Sequence, residues 1–165
     1  SFPKSVGQLP LFYAYKPTGR GYAYNDNDGK PRYCFGHGLS YTTFAFDDYG
    51  YNVEDNILKI NFSIENTGDF DGAEVVQIYL AGRNCDVVRP VQELKAYKRI
   101  PLNKQEKVNT VIEVPEEAFC YYDQKMVFDL HDGDYTVQLG TSCNNILKTF
   151  EVKVRNKKLF TVTGI

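Results

Sequence analysis

Cysteine and histidine come close together once in this chain, at Cys34-Phe35-Gly36-His37-Gly38. A Cys–His nucleophile pair needs a scaffold that holds both side chains within hydrogen-bond reach, and the flanking glycines more plausibly serve backbone geometry. Gly36-His37-Gly38 is not a phosphate loop either, because a third glycine, a following Lys-Ser/Thr and an ensuing helix are all missing. Among the acidic clusters, Asp26-Asn27-Asp28-Gly29 is the best calcium candidate. An EF-hand register puts Tyr24 and Phe35 at the two ends of the loop, where oxygen ligands are required, so the match fails. Asp69-Phe70-Asp71-Gly72 and Asp132-Gly133-Asp134 fall in predicted turns, where aspartate is favoured for bonding its own backbone. Asn61-Phe62-Ser63 matches the glycosylation sequon but lies in mid-strand. The other cysteines, Cys85, Cys120 and Cys143, form no C-x-x-C pair, and His37 and His131 are the two histidines. A zinc site therefore lacks its spacing. Two disulfides are possible, but the reading favours free thiols and leans toward a reducing compartment such as the cytoplasm; the localisation itself stays open. No catalytic, cofactor-binding or metal-binding residue is assigned.

The elements that must position any site are strands. Leu58, Ile60, Phe62 and Ile64 alternate with Lys59, Asn61, Ser63 and Glu65, the mark of a half-buried strand. Similar runs occur at Tyr41 to Phe46, Glu74 to Ala81, Gln92 to Arg99, Lys107 to Val114, Lys125 to Leu130, Tyr135 to Gly140 and Leu147 to Val154. Asn66 to Gly72 reads as a turn, and His131-Asp132-Gly133-Asp134 as a hairpin-type turn. No amphipathic helix of useful length interrupts them. Short strands at this spacing predict an all-β, antiparallel immunoglobulin- or fibronectin type III-like β-sandwich of about seven strands. Tyr135, just after a Gly-Asp turn, stands where a tyrosine corner would place it.

Before Ser40 the pattern is different. Phe2-Pro3, Leu9-Pro10 and Lys16-Pro17 push the chain toward extended geometry, and Gly19-Arg20-Gly21 and Asp28-Gly29-Lys30-Pro31 are turn chemistry. The first 51 residues hold 13 of the 24 aromatics, a class made of 13 Tyr and 11 Phe with no Trp. An extended arm cannot build its own core and must lie on something. The division expected is an arm over 1–40, a sandwich over 41–155 and a tail over 156–165. Nineteen basic and 21 acidic residues leave a net charge of −2, with no footprint for nucleic acid or an anionic membrane. No run approaches the roughly 20 apolar residues of a membrane helix, and no signal peptide is evident. The start at Ser1 reads as a piece of something longer.

Four blocks, in order, resemble the C-terminal part of glycoside hydrolase family three, the β-glucosidase and β-xylosidase family. They are Phe2 to Pro10 running on through Tyr15-Lys16-Pro17-Thr18-Gly19-Arg20; Phe35-Gly36-His37-Gly38-Leu39-Ser40-Tyr41-Thr42-Thr43-Phe44; Glu65 to Gly72 with Glu74-Val75-Val76-Gln77-Ile78-Tyr79; and Val88 to Lys95. His37 replaces the family's usual Tyr, and Cys34 stands where Pro is common. The resemblance implies a parent of three parts: a barrel, an α/β sandwich and a fibronectin type III-like sandwich. The nucleophilic Asp of such enzymes belongs to the barrel and the acid/base usually to the α/β domain, so neither has a counterpart here.

The implied function is a non-catalytic accessory domain that buttresses the catalytic domains of the same polypeptide, whose parent is a retaining hydrolase of terminal non-reducing β-D-glucosides or xylosides. Interdomain contact is expected at Phe12, Tyr13, Tyr15, Phe35, Gly36, Gly38, Leu39 and Tyr41. No cofactor, nucleic acid or membrane partner is expected, and the isolated piece could dimerise through its exposed arm. The alternative is a carbohydrate-binding module that stacks sugars on arm aromatics such as Tyr22 and Tyr24; a cell-surface adhesion module is a third reading, since fold alone does not decide function.

Overall fold

The computed structural model describes residues 1–8, 11–17, 23 and 28–162. Leu9, Pro10, Gly19, Arg20, Gly21, Tyr22, Tyr24, Asp26 and Asn27, on which several of the expectations above fall, lie outside the described residues. Strand alternation sends successive side chains to opposite faces, and β2 (Ile57–Asn66) does this with Leu58, Ile60, Phe62 and Ile64, all buried. It is flanked antiparallel by β1 (Phe44–Glu54) and β5 (Lys107–Val114), giving one sheet of order β1-β2-β5. The second sheet uses β3 (Gly72–Arg83), β4 (Glu93–Leu102), β8 (Gly133–Ser142), β9 (Asn145–Arg155) and β10 (Lys158–Thr161), in the order β10-β9-β8-β3-β4. Val76, Ile78, Leu80, Val137, Leu139, Phe150, Val152 and Val154 face the β2 row and share one core with it. The result is the all-β, antiparallel fibronectin type III-like sandwich that the alternation predicts.

The strand count is a correction: ten strands stand among the described residues in place of about seven. The extra ones have physical causes. The stretch Lys125–Leu130, expected as a strand, contributes two residues, β7 (Phe128–Asp129), paired with β6 (Tyr121–Tyr122) in a small hairpin. Met126 sits at φ +61 in its turn, which breaks the alternation. His131–Asp134 is consequently no hairpin turn between paired strands, since β7 pairs with β6 while β8 pairs with β3 and β9. Residues 156–165 were expected as a tail; within them β10 pairs with β9 along the sheet edge. The connecting Asn156-Lys157 has φ +52 and +59, the two left-handed residues of a tight hairpin loop. Asp55 and Asn56 close β1–β2 in the same way, at φ +51 and +61.

Tyr135 opens β8 fully buried, its ring edge-on to Phe119 at 5.2 Å between centroids. Its hydroxyl donates to the Phe119 carbonyl at 3.3 Å, at the end of a single 3-10 turn, Glu116–Phe119. The bond ties the start of a central strand to the loop that leads into it, but its acceptor lies 16 residues upstream rather than the few of a tyrosine corner.

Candidate interdomain surface

On β3 the residues between the core positions point to the outer face, and they too are buried: Gln77, Tyr79 and Ala81. The arm covers Gln77 and Tyr79. Phe35 and Tyr13 stack with ring centroids 3.9 Å apart and planes 7° from parallel, and Tyr13 meets the Tyr79 ring edge-on at 6.2 Å. The Leu94 amide donates to the Tyr13 hydroxyl at 3.2 Å, so this phenol is fixed at both ends. Two backbone bonds hold the arm beside them, Val91 N–H to the Tyr15 carbonyl at 2.9 Å and Cys143 N–H to the Phe35 carbonyl at 3.0 Å.

Gly36 makes the closest approach. Its φ of +81 suits glycine, and a Cβ built there would lie 2.0 Å from Gln77 Oε1. The Gln77 amide donates to the Gly36 carbonyl at 3.1 Å and to the Thr141 carbonyl at 2.7 Å, while the Tyr79 hydroxyl donates to its Oε1. A buried amide with its bonds made is rigid, and here it clamps the arm to the sheet. Burial, followed by the neighbouring Cys143, Tyr13 and Cys34, pushes the Tyr79 phenol far above its ordinary pKa. It remains a neutral donor across the physiological range.

A second anchor follows a few residues on. Thr42 is buried and donates through Oγ1 to Asn66 Oδ1 at 2.5 Å. Asn66, itself fully buried, donates to the Phe70 carbonyl at 2.8 Å and accepts the Gly68 N–H at 3.1 Å. Cβ atoms at Gly68 and Gly72 would lie 2.2 and 2.6 Å from Thr42 side-chain atoms. The turn chemistry of Asn66–Gly72 therefore makes room for the Thr42 side chain.

Between these anchors, Gly38, Leu39, Ser40 and Tyr41 stand in solvent, with Leu39 93% and Tyr41 96% exposed. Phe12 is 63% and Tyr15 38% exposed. Of the eight residues named from the sequence, Tyr13, Phe35 and Gly36 thus work within the domain, while Phe12, Tyr15, Gly38, Leu39 and Tyr41 face outward. The sequence reading missed Gln77, Thr42 and Asn66, the polar side chains that hold the arm. Each lies inside one of the resemblance blocks, but nothing in the sequence marks it as buried.

The arm is also stitched to itself. Phe2 and Tyr33 pair as an isolated bridge, and the Gln8 side chain accepts Lys4 N–H at 2.7 Å and donates to the Lys30 carbonyl at 2.9 Å. Tyr33 stacks on His37 at 5.1 Å. Cys34 and His37 are joined by backbone, the His37 N–H donating to the Cys34 carbonyl at 3.1 Å. The acidic turn residues serve the fold. Asp71 accepts the Lys104 N–H, Asp132 accepts the Asn156 N–H, and Asn84 and Arg155 hold the Asp134 carboxyl below its usual pKa. Among the described residues no group of three or more His, Cys, Asp or Glu side chains could hold a metal ion.

Residues 74–143 match the model of the fibronectin type III-like domain. A β-glucosidase of Kluyveromyces marxianus is 39% identical over 168 residues, covering 93% of this chain and 20% of that protein. The chain belongs to the fibronectin type III-like domains of glycoside hydrolase family three. In the crystal structure of the Listeria innocua β-glucosidase in complex with glucose, 93% of this domain superposes at a TM-score of 0.84 and 32% identity, on 23% of that chain. The family-three β-glucosidase of Bifidobacterium adolescentis gives 0.69 at 35% identity, over 74% of the domain and 18% of that chain. The domain spans about a fifth of the length of the curated relatives it matches.

Proposed function

We propose that this chain is a non-catalytic accessory domain of a β-glycosidase and that it stabilises the catalytic parts of the same polypeptide by covering their apolar surface. The observation that carries this reading is the Leu39–Tyr41 segment: two large apolar side chains almost wholly in solvent, held outward between two rigid polar anchors. Apolar side chains presented this way mark a contact with another protein surface. The relatives supply the partner class, since four-fifths of their length lies outside the part this chain matches. Phe12, Tyr15 and Gly38 extend the contact, and Tyr13, Phe35 and Gly36 shape it from behind. The parent acts on terminal non-reducing β-D-glucosides or xylosides by the retaining route.

Glycoside hydrolysis needs two carboxylates facing across a bound sugar, about 5 to 10 Å apart. Here Asp134, Asp129 and Asp28 are engaged by Arg155, Lys157 and Lys4 at the surface. The pure chain therefore releases no nitrophenol from an aryl β-glucoside or β-xyloside; turnover above a heat-inactivated control overturns the reading. In isolation, the exposed arm surface drives self-association, which sedimentation shows as a concentration-dependent rise in mass.

One observation favours a second reading, carbohydrate binding. Phe12, Tyr13 and Tyr15 line a cavity of about 1320 Å³ between the arm and the β3–β4 connection. Oligosaccharide titration followed by tyrosine fluorescence distinguishes the two: saturable quenching abolished by Phe12→Ala or Tyr15→Ala supports binding, and a flat titration supports the accessory role.

A further inference from the structure

Two of the four cysteines meet where the arm crosses the turn between β8 and β9. The Cys143 N–H donates to the carbonyl of Phe35, the residue after Cys34, at 3.0 Å. The Cys34 thiol donates to Ser142 Oγ, on the residue before Cys143, at 3.6 Å. Each cysteine is thus next in sequence to the other's bonding partner, and the two chain segments are fixed side by side. Both thiols are half-buried and line the same cavity of about 1320 Å³. That cavity admits a small disulfide reagent. Its described lining carries Lys4, Lys16, Lys30 and Arg32 against Asp28 and Glu93, an excess of positive charge that suits an anionic one.

Cys85 and Cys120 are placed differently. Cys85 donates to the Arg83 carbonyl at 3.5 Å and Cys120 to the Glu116 carbonyl at 3.6 Å, each bonded within its own segment. Both also pack against the core, away from this cavity.

We propose that Cys34 and Cys143 are a redox site: on exposure to a glutathione-type disulfide they form an intramolecular disulfide that pins the arm to the β8–β9 turn. The chemistry is two successive exchanges. The Cys34 thiolate attacks one sulfur of oxidised glutathione, forming a mixed disulfide and expelling one glutathione thiolate. The Cys143 thiolate then attacks the Cys34 sulfur, forming the internal S–S bond and expelling the second glutathione thiolate. Two protein thiols are oxidised, one glutathione disulfide is reduced to two thiols, and the two protons pass to the solvent or to the leaving thiolates. Burial, then the adjacent Cys34 thiol, pushes the Cys143 thiol up to about 11. The closing step is consequently slow at neutral pH and quickens as the pH rises toward that value.

The test uses the whole chain in glutathione buffers of increasing oxidised fraction, quenched with an alkylating agent and digested without reduction. The expected result is a linked peptide pair containing Cys34 and Cys143, loss of two of the four alkylatable thiols, and continued alkylation of Cys85 and Cys120. Cys143→Ser leaves Cys34 as a glutathione mixed disulfide, while Cys85→Ser and Cys120→Ser leave the link intact. The proposal is overturned if the wild-type chain, brought to equilibrium in alkaline oxidised buffer, keeps a mixed disulfide at Cys34 with no internal link. It is equally overturned if Cys34 links to Cys85 or Cys120, or if all four thiols remain alkylatable in fully oxidised buffer.

Discussion

Gly36 concentrates the account at the scale of one residue. Its left-handed backbone and its contact with Gln77 leave no room for a side chain. Gly36→Ala costs about 1–3 kcal/mol from the backbone alone, and it loosens the arm because the Gln77 amide bonds to the Gly36 carbonyl. Hydrogen exchange at the Cys143 amide, which donates to the Phe35 carbonyl, reads that loss directly. Tyr135→Phe is the complementary test inside the sandwich. Removing one hydroxyl orphans the buried Phe119 carbonyl and lowers stability by about 1–2 kcal/mol in urea titration. The two sites were unequally legible. Tyr135 could be placed as an inward residue near the start of its strand, because the alternation through Val137 and Leu139 is local. Gln77 could not, because a polar residue on the alternate face of a strand ordinarily looks toward solvent. Only the arm's return over that face makes it a buried clamp.

Among elements, the arm is expected to undock without unfolding the sandwich. Tyr13 is joined to the sheet by one stacked ring, one edge contact and one hydrogen bond. Tyr13→Ala removes about 2 kcal/mol of arm docking and speeds proteolysis within the arm, while the unfolding midpoint of the sandwich stays nearly unchanged. Ile60→Ala, at the centre of the core row, does the reverse: it costs about 2–5 kcal/mol of global stability. The core strands were readable because β2 and β5 alternate throughout and β9 alternates from Phe150 to Val154. β1 was cut short because its register shifts between Asp47 and Gly50, with Asp48 at φ +54, and such a bulge breaks the period that identifies a strand. β10 was missed because Asn156-Lys157 closes its hairpin without the glycine that usually announces a two-residue turn.

For the molecule as a whole, the buried acids set the pH response. Burial raises the pKa values of Cys143, Tyr79, Tyr121 and Tyr135, so each stays protonated in the fold at a pH where the unfolded chain has begun to ionise. Their stabilisation is complete below pH 9, the ordinary value for the thiol, and falls as pH rises through the folded-state values. Urea midpoints measured from neutral pH upward are therefore level to about pH 9 and decline above it, with tyrosinate absorbance appearing in step with unfolding. The aromatic arm was legible as a segment needing a surface. Its sequence could not divide the rings between two surfaces, because that depends on which side of the extended chain meets β3. Tyr13 and Phe35 go inward, while Phe12, Leu39 and Tyr41 go outward. The outward set carries the central claim, and the most direct test is to charge it. In the full-length polypeptide, Leu39→Asp combined with Tyr41→Asp removes the two apolar side chains of the proposed contact, whose burial there is worth about 1.5–3 kcal/mol each. The account predicts a lower midpoint for thermal inactivation of the full-length polypeptide with no change in the unfolding of the isolated domain at concentrations where it is monomeric; a full-length variant as stable as wild type would contradict it.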